Sequence, residues 1–150
     1  MLKLPIGIQS FESLRTEGYA YADKTKLVYD LSQNGRYVFL SRPRRFGKSL
    51  LLSTLKAYFQ GKKELFEGLA IAGLEQSWET YPVLYIDLNV GLYTSTEGLG
   101  EALNSNLSIL EKTYGIAKET NDNAQRFRHL IWYLATTTGK KAVILVDEYD

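Results

Sequence analysis

Apolar positions along this chain follow two rhythms. One recurs every three or four residues and predicts helices; the other runs unbroken and predicts strands. Residues 1–36 read as a helical preface. Ser10 is placed to cap a short helix carrying Phe11 and Leu14, and Asp23 a second with Leu27, Tyr29 and Leu31, stopped near Gly35. Tyr37–Val38–Phe39–Leu40 reads as a first strand. A helix over 48–60 follows, with Leu51, Leu55, Tyr58 and Phe59 on one stripe and Gly61 at its end. Lys62–Lys63–Glu64 is then a solvated turn, with Leu65–Phe66 and Leu69–Ile71 packed beneath. Residues 83–88 form a second strand, entered through Pro82, where a missing N–H does least harm. Thr94–Ser95–Thr96–Glu97 matches a capping box, and Leu99, Leu103, Leu107 and Leu110 carry a helix on to Gly115. Another opens at Asp122, with Gln125 three residues on, and runs through Ala124, Phe127, Ile131 and Leu134 to Gly139. Ala142–Val143–Ile144–Leu145–Val146 is apolar on both faces, as suits a strand inside a parallel sheet. Alternating strands and helices predict an α/β sandwich with a mostly parallel sheet.

Candidate chemistry sits where the first strand meets the 48–60 helix. The connecting loop, Ser41–Arg42–Pro43–Arg44–Arg45–Phe46–Gly47–Lys48–Ser49, ends in Gly–Lys–Ser. Strand, loop and helix in that order are the setting of a phosphate-binding loop. The first amides of a helix have no partner within it, and the helix dipole adds positive charge there; a phosphate satisfies both. Gly47 lets the main chain approach the phosphates, Lys48 brings a compact charge, and the Ser49 hydroxyl can bind magnesium. The full G-x-x-x-x-G-K-[ST] spacing asks for glycine at position 42, where this chain has Arg42. Support comes from the far end. The apolar run at 142–146 closes on Asp147, placed to hold magnesium across from Ser49, and Glu148, placed to orient and deprotonate an attacking water. Taken singly, these are a basic loop and a strand ending in solvated acids; together they predict a nucleoside triphosphate site. The Asp-x-x-Gly pattern of G proteins is absent, since Asp147 is followed by Glu148–Tyr149–Asp150.

Leu4–Pro5–Ile6–Gly7, Tyr21–Ala22–Asp23–Lys24–Thr25, the Arg-Pro-Arg-Arg-Phe-Gly-Lys-Ser loop and Val146–Asp147–Glu148–Tyr149–Asp150 together resemble the bacterial AAA-ATPase-like family of P-loop ATPases. That family carries the arginine where other phosphate loops have glycine. The resemblance implies a P-loop three-layer sandwich, incomplete here, with 37–150 its N-terminal part, truncated after the acidic strand. It implies ATP and Mg2+ as ligands. Arg44, Arg45, Phe46, Gly47, Lys48, Ser49 and Leu50 would hold the nucleotide, Ser49 and Asp147 the metal, and Lys48 and Glu148 would be catalytic. It also implies that the segment before the first strand covers the base, with Tyr19 and Tyr21 as candidates. A further core strand with a polar sensor, an arginine finger and a C-terminal nuclease-like domain of the PD-(D/E)XK type are expected beyond Asp150. The added strand would lie between 37–40 and 142–146, leaving those two unpaired. A nucleotide-dependent switch with little hydrolysis, an accessory domain to a nuclease, and a ligand-free α/β interaction domain are the alternatives.

Composition narrows this further. The 150 residues are 45% hydrophobic and 23% charged with a net charge of +1, as expected for one globular domain with no general affinity for nucleic acid or membranes. The three loop arginines are expected to face the triphosphate or nearby acids rather than nucleic acid. The absence of cysteine excludes disulfides and thiolate metal sites, and a single histidine, His129, excludes a histidine cluster. No apolar run reaches the ~18 residues of a membrane span, and no signal peptide is evident, so a soluble cytoplasmic protein is expected. Ending at Asp150, straight after the acidic strand, the chain reads as a fragment, expected to be poorly stable and inactive alone. Nothing in the residues sets an oligomeric state.

Overall fold

The computed structural model describes residues 3–41, 46–88 and 96–148. Its elements are α1 (Phe11–Thr16), α2 (Thr25–Gln33), α3 (Lys48–Phe59), β1 (Val83–Asp87), α4 (Thr96–Tyr114), α5 (Asn123–Thr138) and β2 (Val143–Asp147), with two short 3-10 turns at Lys63–Phe66 and Ala70–Gly73. They divide into two compact units, Met1–Thr80 and Tyr81–Asp150.

The first unit is helical. Ser10 caps α1 as expected, its hydroxyl accepting from the Ser13 amide at 3.2 Å. Phe11 and Leu14 on α1 are buried, and α1 packs on α3, which buries Leu51, Thr54, Leu55, Ala57 and Tyr58. The sequence stripe is recovered there except for Phe59, which is half-buried. On α2 the buried positions are Thr25 and Val28, whereas Leu27, Tyr29 and Leu31 are half-buried. Aromatic rings make the centre: Phe66 lies 4.9 Å from Phe11 and 5.1 Å from Trp78, ring centre to ring centre. Such pairs add ~0.5–1.5 kcal/mol beyond the area they bury. Arg15 ties α1 to the first 3-10 turn by donating to the carbonyls of Leu65 at 2.8 Å and Glu67 at 2.7 Å. Gly61 ends α3 with φ +68, and a side chain there would meet Thr80 Oγ1 at 2.6 Å and the Trp78 carbonyl at 3.0 Å. Only glycine fits that corner.

Residues 37–40 are not a strand in the structure. Tyr37, Val38 and Phe39 are 90%, 55% and 77% exposed. Composition made them look like one, but strand propensity is mostly a measure of fit to a neighbouring pleated surface.

The second unit is a βααβ arrangement. β1 and β2 pair in parallel, register Val83↔Val143 through Asp87↔Asp147. Asn106 and Tyr114 of α4 reach the outer edge of β1. The Asn106 side chain accepts from the Asp87 amide at 3.0 Å and donates to the Asp87 carbonyl at 2.7 Å. Tyr114 Oη accepts from the Val83 amide at 3.0 Å and donates to the Val83 carbonyl at 2.8 Å. Hence α4 runs antiparallel to β1. Asn123 Nδ2 donates to the Gly100 carbonyl at 2.9 Å, so α5 starts beside the first turns of α4 and runs the same way. Leu84 and Ile86 meet Leu107, Leu110, Leu130 and Leu134 in one cluster. Asp122 caps α5, accepting from the amides of Ala124 and Gln125, and Gly139 closes it in the left-handed conformation, both as the sequence predicts. Two expected core positions are not core: Leu99 is 41% exposed and Ala124 is exposed. The two helices also bury an ion pair. Arg126 donates to both carboxylate oxygens of Glu111 at 2.8 Å each. It also reaches Asn104, Asn123 and Ser108, so the buried guanidinium is fully engaged. The Thr94–Ser95 half of the expected capping box lies outside the described residues. No helix among the described residues is long and apolar enough to cross a membrane.

Candidate functional site

In the first unit the candidate residues gather at the start of α3. Gly47 occupies the N-cap position at φ +76, ψ 25, a left-handed conformation costly for any residue with a Cβ. Glycine also has no side chain with which to cap the helix. The first rung of the helix is Leu51 N–H to the Gly47 carbonyl at 3.0 Å. The amides of Lys48, Ser49 and Leu50 therefore lie ahead of the helical ladder, where an external anion is the natural acceptor. Phe46 is exposed; Lys48, Ser49 and Leu50 are half-buried. Arg42, Arg44 and Arg45 lie outside the described residues.

Beside this helix start is a pocket of about 190 Å³, whose lining includes Leu14, Tyr21, Lys24, Leu27, Gly47 and Leu50. Its walls are mainly apolar, with a few polar groups. Tyr21 is half-buried there, and burial raises its pKa above the ordinary tyrosine value. Tyr19, the other expected base contact, lies instead beneath the Lys3 ammonium at 5.7 Å. The Asp23–Lys24–Thr25 motif acquires a concrete role. Asp23 Oδ1 accepts from the Thr25 amide at 2.9 Å and the Thr25 hydroxyl at 2.7 Å, and Oδ2 accepts from the Ala70 amide at 2.7 Å. Thr25 Oγ1 in turn accepts from the Ile71 amide at 3.1 Å. Burial works to raise the Asp23 pKa, but these bonds outweigh it and hold the carboxyl below its usual range. Asp23 thus caps α2 from one residue outside the N-cap, and staples the pocket wall to the second 3-10 turn.

In the second unit the acidic pair stands at the carboxyl end of β2. Asp147 is only 3% exposed, and Glu148 is exposed. Asp147 Oδ2 accepts the Tyr85 hydroxyl at 2.9 Å, and Oδ1 accepts the Glu148 amide at 2.9 Å. Glu148 has φ +54, unusual for a residue with a side chain. Burial and then the Asp147 carboxylate push the Tyr85 hydroxyl well above its ordinary pKa, so it stays protonated as a donor. Sequence reading did not find Tyr85. Only the register, which sets residue 87 beside 147, brings a tyrosine at 85 diagonally within reach. Asp87 is held through its backbone by Asn106.

Magnesium keeps several of its waters and takes one or two carboxylates together with nucleotide phosphates. Each oxygen of Asp147 carries one hydrogen bond, which leaves each a further lone pair. Among the described residues no three histidine, cysteine, aspartate or glutamate side chains cluster as a metal cage. The Asp147 carboxylate can therefore serve as the one carboxylate that such a nucleotide-borne magnesium takes.

A family model described as "Predicted AAA-ATPase" matches residues 5–150. The chain is also similar to a protein of Azotobacter chroococcum mcd 1, named as an uncharacterized protein in the vnfD 5' region, with 42% identity over 149 residues. That match covers 99% of this chain and 29% of the relative, so the chain spans under a third of the relative's length. No solved structure matches.

Proposed function

Since the chain belongs to the predicted AAA-ATPase family, we propose that it is the nucleotide-binding part of a magnesium-dependent ATPase. The observation that carries this is the start of α3: a left-handed Gly47 followed by Lys48 and Ser49, with helix-leading amides beside a mainly apolar pocket. The proposed architecture is a P-loop sandwich, of which β1 and β2 are two strands and residues 37–150 the N-terminal part. Residues 1–36 supply the cover over the base.

In this reading the amides of Gly47 to Leu50 and the Lys48 ammonium take up charge on the phosphates, and electrostatic positioning of this kind is the main work of phosphoryl-transfer sites. Arg44 and Arg45 belong to the same cradle. Tyr21, Leu27 and Leu50 flank the base in the pocket. Ser49 and Asp147 hold the metal, Asp147 through a water. Magnesium, when bound, neutralises charge on the outer phosphates. Glu148 orients the attacking water and accepts its proton.

Lys48→Ala tests the core of the proposal. In the intact protein, ATP affinity measured by calorimetry should drop below detection while the thermal midpoint of the free protein is kept. Wild-type affinity would remove the lysine, and the loop with it, from the site.

A further inference from the structure

We propose that Tyr85 is the positioning residue for Asp147, fixing the orientation in which that carboxylate meets the hydrated metal; this rests on the assignment of Asp147 as the magnesium-side acid. Alternation along the paired strands puts Tyr85, Asp87, Leu145 and Asp147 on one face of the sheet. Leu84 and Ile86 face the other way, into the α4–α5 cluster. The Tyr85 hydroxyl crosses to Asp147 Oδ2 at 2.9 Å, and the Glu148 amide holds Oδ1 at 2.9 Å. With both oxygens held, the carboxylate has one orientation rather than a choice of rotamers.

Two further features make the hold rigid. Tyr85 sits midway between Val83 and Asp87, the two residues of β1 whose backbone groups α4 clamps through Tyr114 and Asn106. The tyrosine therefore reaches out from a strand pinned on either side of it. Directly after Asp147 the chain turns through the positive φ of Glu148. Strained backbone persists where the surroundings over-determine it, and such places concentrate at functional sites. Partners of metal-side ligands set their orientation, and losing one typically weakens metal affinity by about 10–100-fold.

A bond that served stability alone would leave the metal dependence of binding unchanged, and this separates the two roles. Tyr85→Phe removes one oxygen and keeps the ring. In the intact protein, binding of a non-hydrolysable ATP analogue is titrated with Mg2+, and metal-free analogue affinity in the same samples checks the fold. Tyr85→Phe should raise the Mg2+ concentration for half-maximal effect about ten-fold or more, with metal-free affinity unchanged. In an Asp147→Asn background the same substitution should add nothing. A Tyr85→Phe titration that overlays the wild type, while Asp147→Asn shifts it, would overturn the proposal and leave Asp147 in place. Equal weakening with and without metal would overturn it too, as the mark of a structural bond. Should Asp147→Asn itself leave the titration unmoved, the assignment of Asp147 falls, and the role of Tyr85 falls with it.

Discussion

Glu148 pairs an exposed side chain with an anchored backbone. Its amide is bound to Asp147 and its φ is +54, so the carboxylate leaves the strand end in a direction the main chain dictates. Glu148→Gln keeps that geometry and removes the base. On the proposed function the variant should bind ATP as the wild type does while phosphate release falls by about 100-fold or more, the usual worth of a positioned general base. Wild-type turnover would strike Glu148 from the chemistry. Gly47, Lys48, Ser49, Asp147 and Glu148 were all legible as candidates, because each belongs to a short motif whose spacing has a mechanical reason. Tyr85 and Asn106 were not, since their partners are 62 and 19 residues away and depend on register and on which face of α4 meets β1. Asp23 was half legible: capping was readable, but its bond to the Ala70 amide crosses 47 residues.

At the scale of elements, α4 and α5 are joined by a buried charged pair beside their shared apolar cluster. Arg126 and Glu111 are buried, and the hydrogen bonds from Arg126 hold the Glu111 carboxyl below its ordinary value of 4.5. A depressed carboxyl contributes stability that is fully present above its unfolded pKa and is lost as pH falls through the folded one. Resistance of the intact protein to denaturant should therefore weaken as the pH drops below about 4.5, and Glu111→Gln should flatten that dependence. Glu111→Ala, which leaves the guanidinium buried without its partner, should cost about 3–5 kcal/mol. The helix spans themselves were legible, with Gly61, Asp122 and Gly139 marking ends as read. Residues 37–40 misled because β-branched and aromatic composition describes a surface that a strand needs, not one it supplies. The pocket wall gives another test at this scale. Ala22 lines the pocket and is exposed, so Ala22→Trp should fold. It should lower ATP affinity at least about ten-fold, equivalent to about 1.4 kcal/mol, yet leave inorganic tripolyphosphate binding unchanged in calorimetry.

Over the whole molecule, the proposed phosphate grip belongs to the first unit and the proposed acids to the second. The α/β character and the parallel pairing were legible from the alternation of elements and from the doubly apolar run at 142–146. The α4 contacts on β1 have a reach beyond local stability. By occupying the main-chain groups of Val83 and Asp87, Tyr114 and Asn106 act as a blind wall on that flank. A newcomer strand would have to evict both side chains to dock there, so the sheet can be enlarged only past β2, and stray chains find no template along β1.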